Sequence, residues 1–285
     1  MKPAPFAYVR PRTLEEALEA LAADEGAKVL AGGQSLVPLL SMRLAAPGTL
    51  VDINALPGLG DITVTDEGVR VGALARHAAV LADEAAARTQ PLLRKALRHV
   101  AHATIRNRGT TVGSLAHADA AAEMPAVLCL LDGSVEAASV SGRRTVPAAE
   151  LYLGPLESSL RHDELAVSAT FPGLAPGEGV AFDEVARRHG DYALCGVAAV
   201  VRVDDGRPTG ARASYISVGD VPTVVDLTAA VEDPDAAGEL ALEHLEPMAD
   251  LHASADYRAH LVRVLTARVL RAAIEDARAR QGALT

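Results

Sequence analysis

Two glycine-containing segments carry the residue types best suited to hold a phosphate group. In the first, Val29-Leu-Ala-Gly-Gly-Gln-Ser-Leu36, a short apolar run ends at two glycines and Ser35 can open a helix. Paired glycines let the backbone turn with positive φ, and N–H groups left free at such a turn bind phosphate oxygens. A tight turn without any ligand remains the alternative, since short glycine turns are common.

The second segment is Thr104-Ile-Arg-Asn-Arg-Gly-Thr-Thr-Val-Gly-Ser-Leu-Ala-His-Ala-Asp119, which is rich in hydroxyls and has no steady period. Its hydroxyl and amide donors suit a pyrophosphate and a ribose. An ordinary surface loop is the alternative, but the apolar run that follows indicates that this segment lies against the core. A long loop inside a compact domain is more often functional, so we expect an irregular ligand-binding loop over residues 103–119.

No other residues form a convincing catalytic or metal-binding pattern. The nine histidines lack the spacing of a metal motif, and His99 and His102 have no carboxylate or thiol partner nearby in the sequence. Ser35 and Ser114 do not lie in a Gly-x-Ser-x-Gly elbow. We therefore assign no catalytic residue and no metal ligand.

The two cysteines, Cys129 and Cys195, cannot supply the four thiolates of an ordinary iron–sulfur cluster. Both lie in apolar runs 66 positions apart, which predicts buried free thiols and fits a reducing cytoplasm.

Composition excludes several classes of protein. The chain has 285 residues, 49% of them hydrophobic, which argues against global disorder. With 27 Lys and Arg against 37 Asp and Glu, the formal charge of −10 disfavours nucleic-acid binding. The beginning has no apolar signal segment, and no apolar stretch is long enough to span a bilayer. We expect a cytoplasmic protein that is not integral to a membrane.

The first third of the chain alternates helix and strand signals, and further strands and helices are expected up to residue 171. Thr13 and Glu16 form a capping box ahead of a helix, and the apolar runs on either side of the next helix predict a β-α-β unit. Strands are expected at residues 28–31, 50–53, 62–65, 69–74, 134–140 and 165–171, and helices at 14–21, 35–43, 77–83, 91–102 and 123–131.

The pattern changes after a linker with five Gly or Pro in eight positions, residues 172–179. Three antiparallel strands are expected at residues 180–188, 196–203 and 211–218, followed by helices at 235–245 and 256–280. We place a domain boundary near residue 175.

Together the two glycine segments resemble the FAD-binding subunit of the molybdenum hydroxylases. That family includes the medium subunit of aerobic carbon monoxide dehydrogenase and the flavin domain of xanthine dehydrogenase. Two further blocks match in the right order, Arg70-Val-Gly-Ala-Leu-Ala-Arg-His-Ala-Ala-Val-Leu-Ala-Asp83 and Phe182-Asp-Glu-Val-Ala-Arg-Arg-His-Gly-Asp-Tyr-Ala193. The resemblance covers essentially the whole chain.

The resemblance implies an α+β fold in two parts. Residues 1–175 would form a two-lobed FAD-binding domain of the vanillyl-alcohol-oxidase (PCMH) type, with lobes at about 1–56 and 57–175. Residues 176–285 would form a small α+β domain with a three-stranded antiparallel sheet and helices. FAD would lie between the lobes without a covalent bond.

The resemblance also assigns residues to the cofactor. Two segments would hold the pyrophosphate from opposite sides, and Val112 stands where many relatives have a glycine. The first segment comprises Val29, Leu30, Ala31, Gly32, Gly33, Gln34, Ser35 and Leu36; the second comprises Thr110, Thr111, Gly113 and Ser114. Glu123 would contact FAD, Leu165 or Ala166 would lie near the flavin rings, and Asp191-Tyr192 would place a tyrosine over them.

The implied function is electron transfer. Hydroxylation would occur at a molybdopterin centre on a large partner chain, and electrons would reach FAD through [2Fe–2S] clusters on a small partner chain. NAD, a quinone or O2 would then reoxidise the flavin. Two alternatives stay open, a stand-alone FAD-dependent oxidoreductase acting on a small molecule and a scaffold without FAD. The substrate of the complex is also open.

Overall fold

The computed structural model describes residues 2–282 and folds them into four β-sheets with helices packed against them. No helix in this range is both long and apolar enough to cross a membrane.

The N-terminal lobe is a small parallel sheet with two helices. Its strands, in the order β1-β3-β2, are β1 (Ala7–Val9), β2 (Lys28–Leu30) and β3 (Thr49–Asp52), with α1 (Leu14–Ala22) and α2 (Leu36–Met42) between them. The capping box is confirmed, because the Thr13 hydroxyl accepts a hydrogen bond from the Glu16 N–H at 3.2 Å. Helix α1 then buries Ala17, Leu18 and Leu21 on one face.

The second lobe is built on an antiparallel sheet in the order β4-β5-β10-β6-β7. Six helices lie between β5 and β6 in the chain. Its elements are β4 (Ile62–Thr65), β5 (Gly68–Gly72), α3 (His77–Ala82), α4 (Glu84–Thr89), α5 (Pro91–Leu97), α6 (Ala103–Arg106), α7 (Thr111–His117), α8 (Glu123–Leu130), β6 (Ser134–Ser139), β7 (Gly142–Pro147), α9 (Ala148–Leu151), β8 (Tyr152–Gly154), β9 (Glu157–Ser158) and β10 (Leu165–Pro172).

The expectation of an irregular loop over residues 103–119 is wrong. This segment contains the short helices α6 and α7, and only residues 107–110 between them are non-helical. Helix α7 forms because Thr110 accepts a hydrogen bond from the Gly113 N–H at 3.1 Å and caps its start. Its buried positions Thr111, Val112 and Leu115 lie on one face, a pattern too short to register as a helical period in the sequence.

The C-terminal part is a four-stranded antiparallel sheet covered by a long helix. Its elements are β11 (Glu178–Ala186), β12 (Ala193–Asp204), β13 (Arg207–Ile216), β14 (Thr223–Asp226), α10 (Pro234–Leu242) and α11 (Ala255–Gly282). The expected sheet had three strands. The fourth, β14, is a four-residue edge strand whose adjacent Val224 and Val225 do not alternate with polar residues, so its sequence gave no strand signal.

Helix α11 contacts both parts of the chain. Near its start, Arg258 donates from Nε to the Leu194 carbonyl at 3.0 Å. Nearer its end, Asp276 accepts from the Val180 N–H at 3.0 Å and from Lys95 Nζ of α5 at 3.1 Å. Val180 and Ala198 of the C-terminal sheet belong to the same buried apolar cluster as the second lobe.

The backbones of β11 and α11 meet at Gly179. A Cβ atom there would stand 2.2 Å from both the Ala273 carbonyl oxygen and the Ala277 nitrogen, closer than any side chain allows. Strand β11 can therefore pack on α11 only with glycine at this position.

We predict that Gly179→Ala lowers the free energy of unfolding by about 1–3 kcal/mol, because the strand and helix must separate. Urea denaturation measures the change. Gly210→Ala in β13 is the matched control, since its Cβ would have no neighbour closer than 3.8 Å. Equal stability of the two variants would contradict the prediction.

Candidate functional site

The turn between β2 and α2 presents free backbone donors. We call residues 31–35 the first glycine loop. Gly33 has a φ of +72°, as the paired glycines predicted. Within residues 2–282, the N–H groups of residues 33–35 donate no hydrogen bond. Three adjacent amides without an acceptor suit an anionic oxygen, because free main-chain N–H groups carry partial positive charge.

The first glycine loop touches a second one, residues 107–110, at Gly32. A Cβ atom on Gly32 would stand 2.5 Å from the Arg108 carbonyl oxygen and 2.8 Å from the Gly109 Cα. The contact therefore joins two main chains directly. Arg108 and Gly109 immediately precede the second segment that the resemblance assigns to the pyrophosphate, so the contact lies at its start.

Asn54 and Arg76, which we call the loop clamp, bridge the two glycine loops. Asn54 donates from Nδ2 to the carbonyl oxygen of Ala31 at 2.8 Å. Arg76 donates from Nη2 to Asn54 Oδ1 at 2.7 Å and from Nη1 to the Arg108 carbonyl oxygen at 2.5 Å. The clamp thus fixes the spacing of the loops through two side chains.

Asp52 orients the Asn54 side chain of the loop clamp, and neighbouring charges change the pKa of Arg76. Asp52 accepts from the Asn54 N–H at 3.0 Å and from its Nδ2 at 2.6 Å, which orients the amide. Burial and the neighbouring Arg108 guanidinium lower the pKa of Arg76. No carboxylate in the described part of the chain forms an ion pair with Arg76, Arg106 or Arg108. The negative charge of Asp52 acts on Arg76 from a distance and partly offsets the lowering of its pKa.

Sequence reasoning missed the loop clamp. Asn54 follows β3 by two residues and Arg76 immediately precedes α3, so each lies just beyond a strand or before a helix. In β-α-β units with parallel strands, residues just after a strand lie at the edge of the sheet where ligands bind. The position of Asn54 after β3 was therefore a usable sequence signal. Arg76 had no such signal, because its partners are carbonyl oxygens far away in the sequence.

The buried His77 supports the second glycine loop from the side of the core. The His77 N–H donates to the Gly109 carbonyl at 3.0 Å, and His77 Nδ1 lies 3.2 Å from Thr111 Oγ1. Burial, followed by the charge of Arg106, lowers the pKa of His77 to about 4, so its ring is neutral at pH 7. The fully buried Thr111 therefore turns its hydroxyl inward, away from the loop surface.

Val112, the departure from the glycine of many relatives, also points inward. Its side chain is 2% exposed and packs in the same apolar cluster as Leu115 and Met124. The valine side chain therefore occupies the core and leaves the surface of the second glycine loop clear. Ser114 follows on α7 with its hydroxyl making no hydrogen bond in residues 2–282.

The other residues that the resemblance assigns to FAD differ in exposure, since Tyr192 is exposed and Leu165 and Ala166 are buried. Glu123 begins α8, and Tyr192 lies just before β12. Burial is the main cause that raises the pKa of Tyr192, followed by the charges of Asp119 and Glu123. The Tyr192 side chain is 63% exposed, although apolar rings are ordinarily covered. Leu165 and Ala166, by contrast, have buried side chains in β10, which leaves only their backbone to face a ligand.

Asp191 and Tyr192 also border a cavity of about 250 Å³ at the C-terminal sheet. Asp191 is held in place by Arg187 at 3.1 Å and accepts the Tyr192 N–H at 3.1 Å. The same cavity is lined by the buried Arg258, which pairs with Asp250 at 2.6 Å. No group of three or more His, Cys, Asp or Glu side chains in residues 2–282 is placed to hold a metal ion.

Two family models together match most of the chain. Residues 4–174 match the FAD binding domain in molybdopterin dehydrogenase, and residues 180–273 match the CO dehydrogenase flavoprotein C-terminal domain.

Individual relatives align over nearly their whole length. The chain is 43% identical to the 6-hydroxypseudooxynicotine dehydrogenase complex subunit alpha of Paenarthrobacter nicotinovorans, covering 98% of this chain and 97% of that one. It is 31% identical to the carbon monoxide dehydrogenase medium chain of Hydrogenophaga pseudoflava, covering 96% and 98%. A chain of quinoline 2-oxidoreductase from Pseudomonas putida 86 superimposes with a TM-score of 0.91 at 38% identity, covering 97% and 99%.

We predict that His77 makes the fold sensitive to acid. Its folded pKa, about 4, lies below the ordinary 6.5, so between these values only the unfolded chain takes up the proton. The free energy of unfolding therefore decreases as pH falls from about 6.5 to 4, by on the order of 3 kcal/mol over the whole interval. Urea unfolding at pH 7 and pH 4.5 should show a larger loss in the wild type than in His77→Gln.

The control for this comparison is His162→Gln, which replaces an exposed histidine. It should lose as much stability as the wild type on acidification. An equal loss in His77→Gln would assign the acid sensitivity to other groups.

Proposed function

The chain belongs to the FAD-binding medium subunits of the molybdenum hydroxylases, and we propose that it holds FAD between its two glycine loops. In this role it takes electrons from [2Fe–2S] clusters on a small partner chain and passes them to NAD, a quinone or O2. The hydroxylation itself takes place at molybdopterin on a large partner chain.

The contact between the two glycine loops is the observation that carries this proposal. Within residues 2–282 the first loop offers three N–H groups without acceptors, and Arg76 and Arg108 add positive charge without forming an ion pair with a carboxylate. A diphosphate supplies the missing acceptors and the missing negative charge. The residues present therefore fit FAD at this place.

The protein residues have separate tasks around the cofactor, which itself supplies the redox chemistry. The first segment, residues 29–36, binds the diphosphate together with Thr110, Gly113 and Ser114 of the second segment. Thr111 supports them from the core side through its contact with His77, and the loop clamp keeps the two segments at a fixed distance. Glu123 binds the part of FAD that extends towards α8, and the backbone of Leu165 and Ala166 borders the flavin rings. The exposed ring of Tyr192 covers them, held by Asp191.

The division of the chain follows from these tasks. We place the FAD-binding part at residues 1–175 and the C-terminal part, which contributes Tyr192, at residues 176–285. Cys129 and Cys195 are both free thiols, which supports a reducing compartment and hence the cytoplasm as the site of action.

The stand-alone oxidoreductase is not favoured, because the relatives named above are subunits of larger enzymes. A scaffold without FAD is disfavoured by the match to the FAD-binding domain over residues 4–174.

The visible absorption spectrum of the purified chain, before and after heat release of the chromophore, tests the proposal. We predict flavin bands in the wild type, and FAD affinity lowered about tenfold or more in Gly32→Ala, because the new Cβ pushes the loops apart. Gly60→Ala is the matched control, since a Cβ there would meet nothing within 4 Å. A wild-type chain that neither carries nor takes up FAD would refute the proposed function.

We predict that Arg76→Met weakens FAD binding by about tenfold to a hundredfold, because two charge-assisted hydrogen bonds that fix the loop spacing are lost. Arg76→Lys should recover part of the affinity, since one ammonium cannot bridge both acceptors as a guanidinium does. Fluorescence titration with FAD measures the dissociation constants. Arg88→Met, which removes an exposed arginine on α4, should bind FAD like the wild type.

A further inference from the structure

Tyr8 on β1 is an exposed residue with a buried partner. It lies in the edge strand of the N-terminal sheet and is 55% exposed, yet its hydroxyl donates a hydrogen bond to Asp52 Oδ2 at the end of β3. Asp52 itself is buried. A buried carboxylate oxygen is costly without a donor, so Tyr8 satisfies a group that would otherwise destabilise the sheet. The other contacts of Asp52 connect this hydroxyl to the candidate site.

The register of the parallel sheet explains why the two side chains meet. Tyr8 is paired with Leu50 of β3, and Asp52 lies two residues further along the same strand, so both side chains lie on one face of the sheet. Asp52 is in turn paired with Leu30, the last residue of β2 before the first glycine loop. The hydrogen bond from Tyr8 therefore reaches the end of the sheet where that loop begins.

The two oxygens of Asp52 have separate partners. Oδ1 accepts from the Asn54 N–H at 3.0 Å and from Asn54 Nδ2 at 2.6 Å, whereas Tyr8 is the only donor to Oδ2 within residues 2–282. Burial acts to raise the pKa of Asp52, but the hydrogen bonds from Tyr8 and Asn54 and the charge of Arg10 hold it below its ordinary value. Tyr8 thus helps to keep the carboxylate ionised and turned towards Asn54.

The ionised Asp52 fixes which end of the Asn54 amide faces Arg76. A carboxylate only accepts hydrogen bonds, so it binds the amide nitrogen and leaves the amide oxygen pointing the other way. Asn54 Oδ1 then accepts from Arg76 Nη2 at 2.7 Å, while the nitrogen also donates to the Ala31 carbonyl at 2.8 Å. If the amide were reversed, its NH2 group would face the guanidinium and its oxygen would face two acceptors. Both contacts of the loop clamp would then be lost.

The hydrogen bonds form a continuous series from β1 to both glycine loops. It runs from Tyr8 through Asp52 to Asn54, where it divides. One branch ends at a carbonyl of the first glycine loop, and the other passes through Arg76 to a carbonyl of the second. The Tyr8 hydroxyl is therefore connected to both sides of the proposed diphosphate site.

We propose that Tyr8 is a positioning residue for FAD, which acts through Asp52 and the loop clamp to set the spacing of the two glycine loops around the diphosphate. The inference rests on the proposed function, because the spacing matters for FAD only if the loops bind its diphosphate. The effect of Tyr8 is on diphosphate binding and not on the flavin rings, since every branch of the series ends at a glycine loop.

Fluorescence titration of the full chain with FAD tests this role in Tyr8→Phe, which removes one oxygen atom and keeps the ring. We expect the dissociation constant to rise about threefold to tenfold, because Asp52 loses a donor and holds the Asn54 amide less firmly. Tyr257→Phe is the matched control, since Tyr257 is also exposed and its hydroxyl makes no hydrogen bond within residues 2–282. The control should bind FAD like the wild type.

A double-mutant comparison tests whether Tyr8 acts through the loop clamp. In Arg76→Met the contact between Asn54 and the second glycine loop is already absent, so adding Tyr8→Phe should raise the dissociation constant of FAD by about twofold at most. A hydroxyl that merely stabilised β1 would give the same factor in both backgrounds.

Two further measurements locate the effect on the cofactor. ADP carries the diphosphate without the flavin rings, and its competition with FAD should show that Tyr8→Phe weakens both ligands by the same factor. The reduction potential of bound FAD should equal that of the wild type, because the variant weakens the binding of oxidised and reduced FAD equally.

The outcomes separate this inference from the proposed function. A Tyr8→Phe chain that binds FAD as tightly as the wild type overturns the inference alone, and so does an equal factor in the two backgrounds. A changed flavin potential, or an ADP affinity that stays at the wild-type value, also contradicts it, because the effect would then lie at the rings. A wild type that binds neither FAD nor ADP refutes the proposed function, and the inference fails with it.

Discussion

The close approach of two main chains at Gly32 is the constraint on which the rest of the candidate site depends. The first glycine loop comes from the parallel sheet of the N-terminal lobe, and the second comes from a helical segment of the other lobe. Since no side chain fits between them, the loops approach as closely as backbone allows. The loop clamp then needs only two side chains, Asn54 and Arg76, to reach carbonyl oxygens on both sides. A larger residue at position 32 would therefore disturb the clamp as well as the contact.

Local charge at the site is opposite to that of the whole molecule. The formal charge of −10 argued against a polyanionic partner, and that argument applies to the surface at large. At the glycine loops, however, Arg76, Arg106 and Arg108 form no ion pair with any carboxylate of the described residues, and free N–H groups add to their field. At the start of α8 the sign reverses again, because burial and the negative charges of Glu184 on β11 and of Asp119 raise the pKa of Glu123. A cofactor with an anionic diphosphate and a neutral ring system matches this separation.

Much of the fold could be predicted from the sequence because its signals are local. The capping box at Thr13, the hairpin from β4 to β5 and the apolar periodicity of α11 each appear in a few consecutive residues. Helix α7 could not be recognised, since its burial depends on His77 and Ala75 from a distant segment. Asn54 and Arg76 were missed for the same reason, as their roles arise only from tertiary neighbours. Resemblance to a family supplied the remaining site residues, which no spacing rule would have assigned.

The long helix α11 has a mechanical consequence for the two parts of the chain. Arg258 near its start forms one wall of the cavity beside Tyr192, while Asp276 is anchored to Lys95 of the second lobe. The main-chain hydrogen bonds of a helix fix its length, so these two anchor points stay about 27 Å apart along the axis. The helix therefore acts as a strut. A displacement of α5 in the FAD-binding part would therefore be transmitted almost fully along α11 to Arg258, which lines the same cavity as Tyr192.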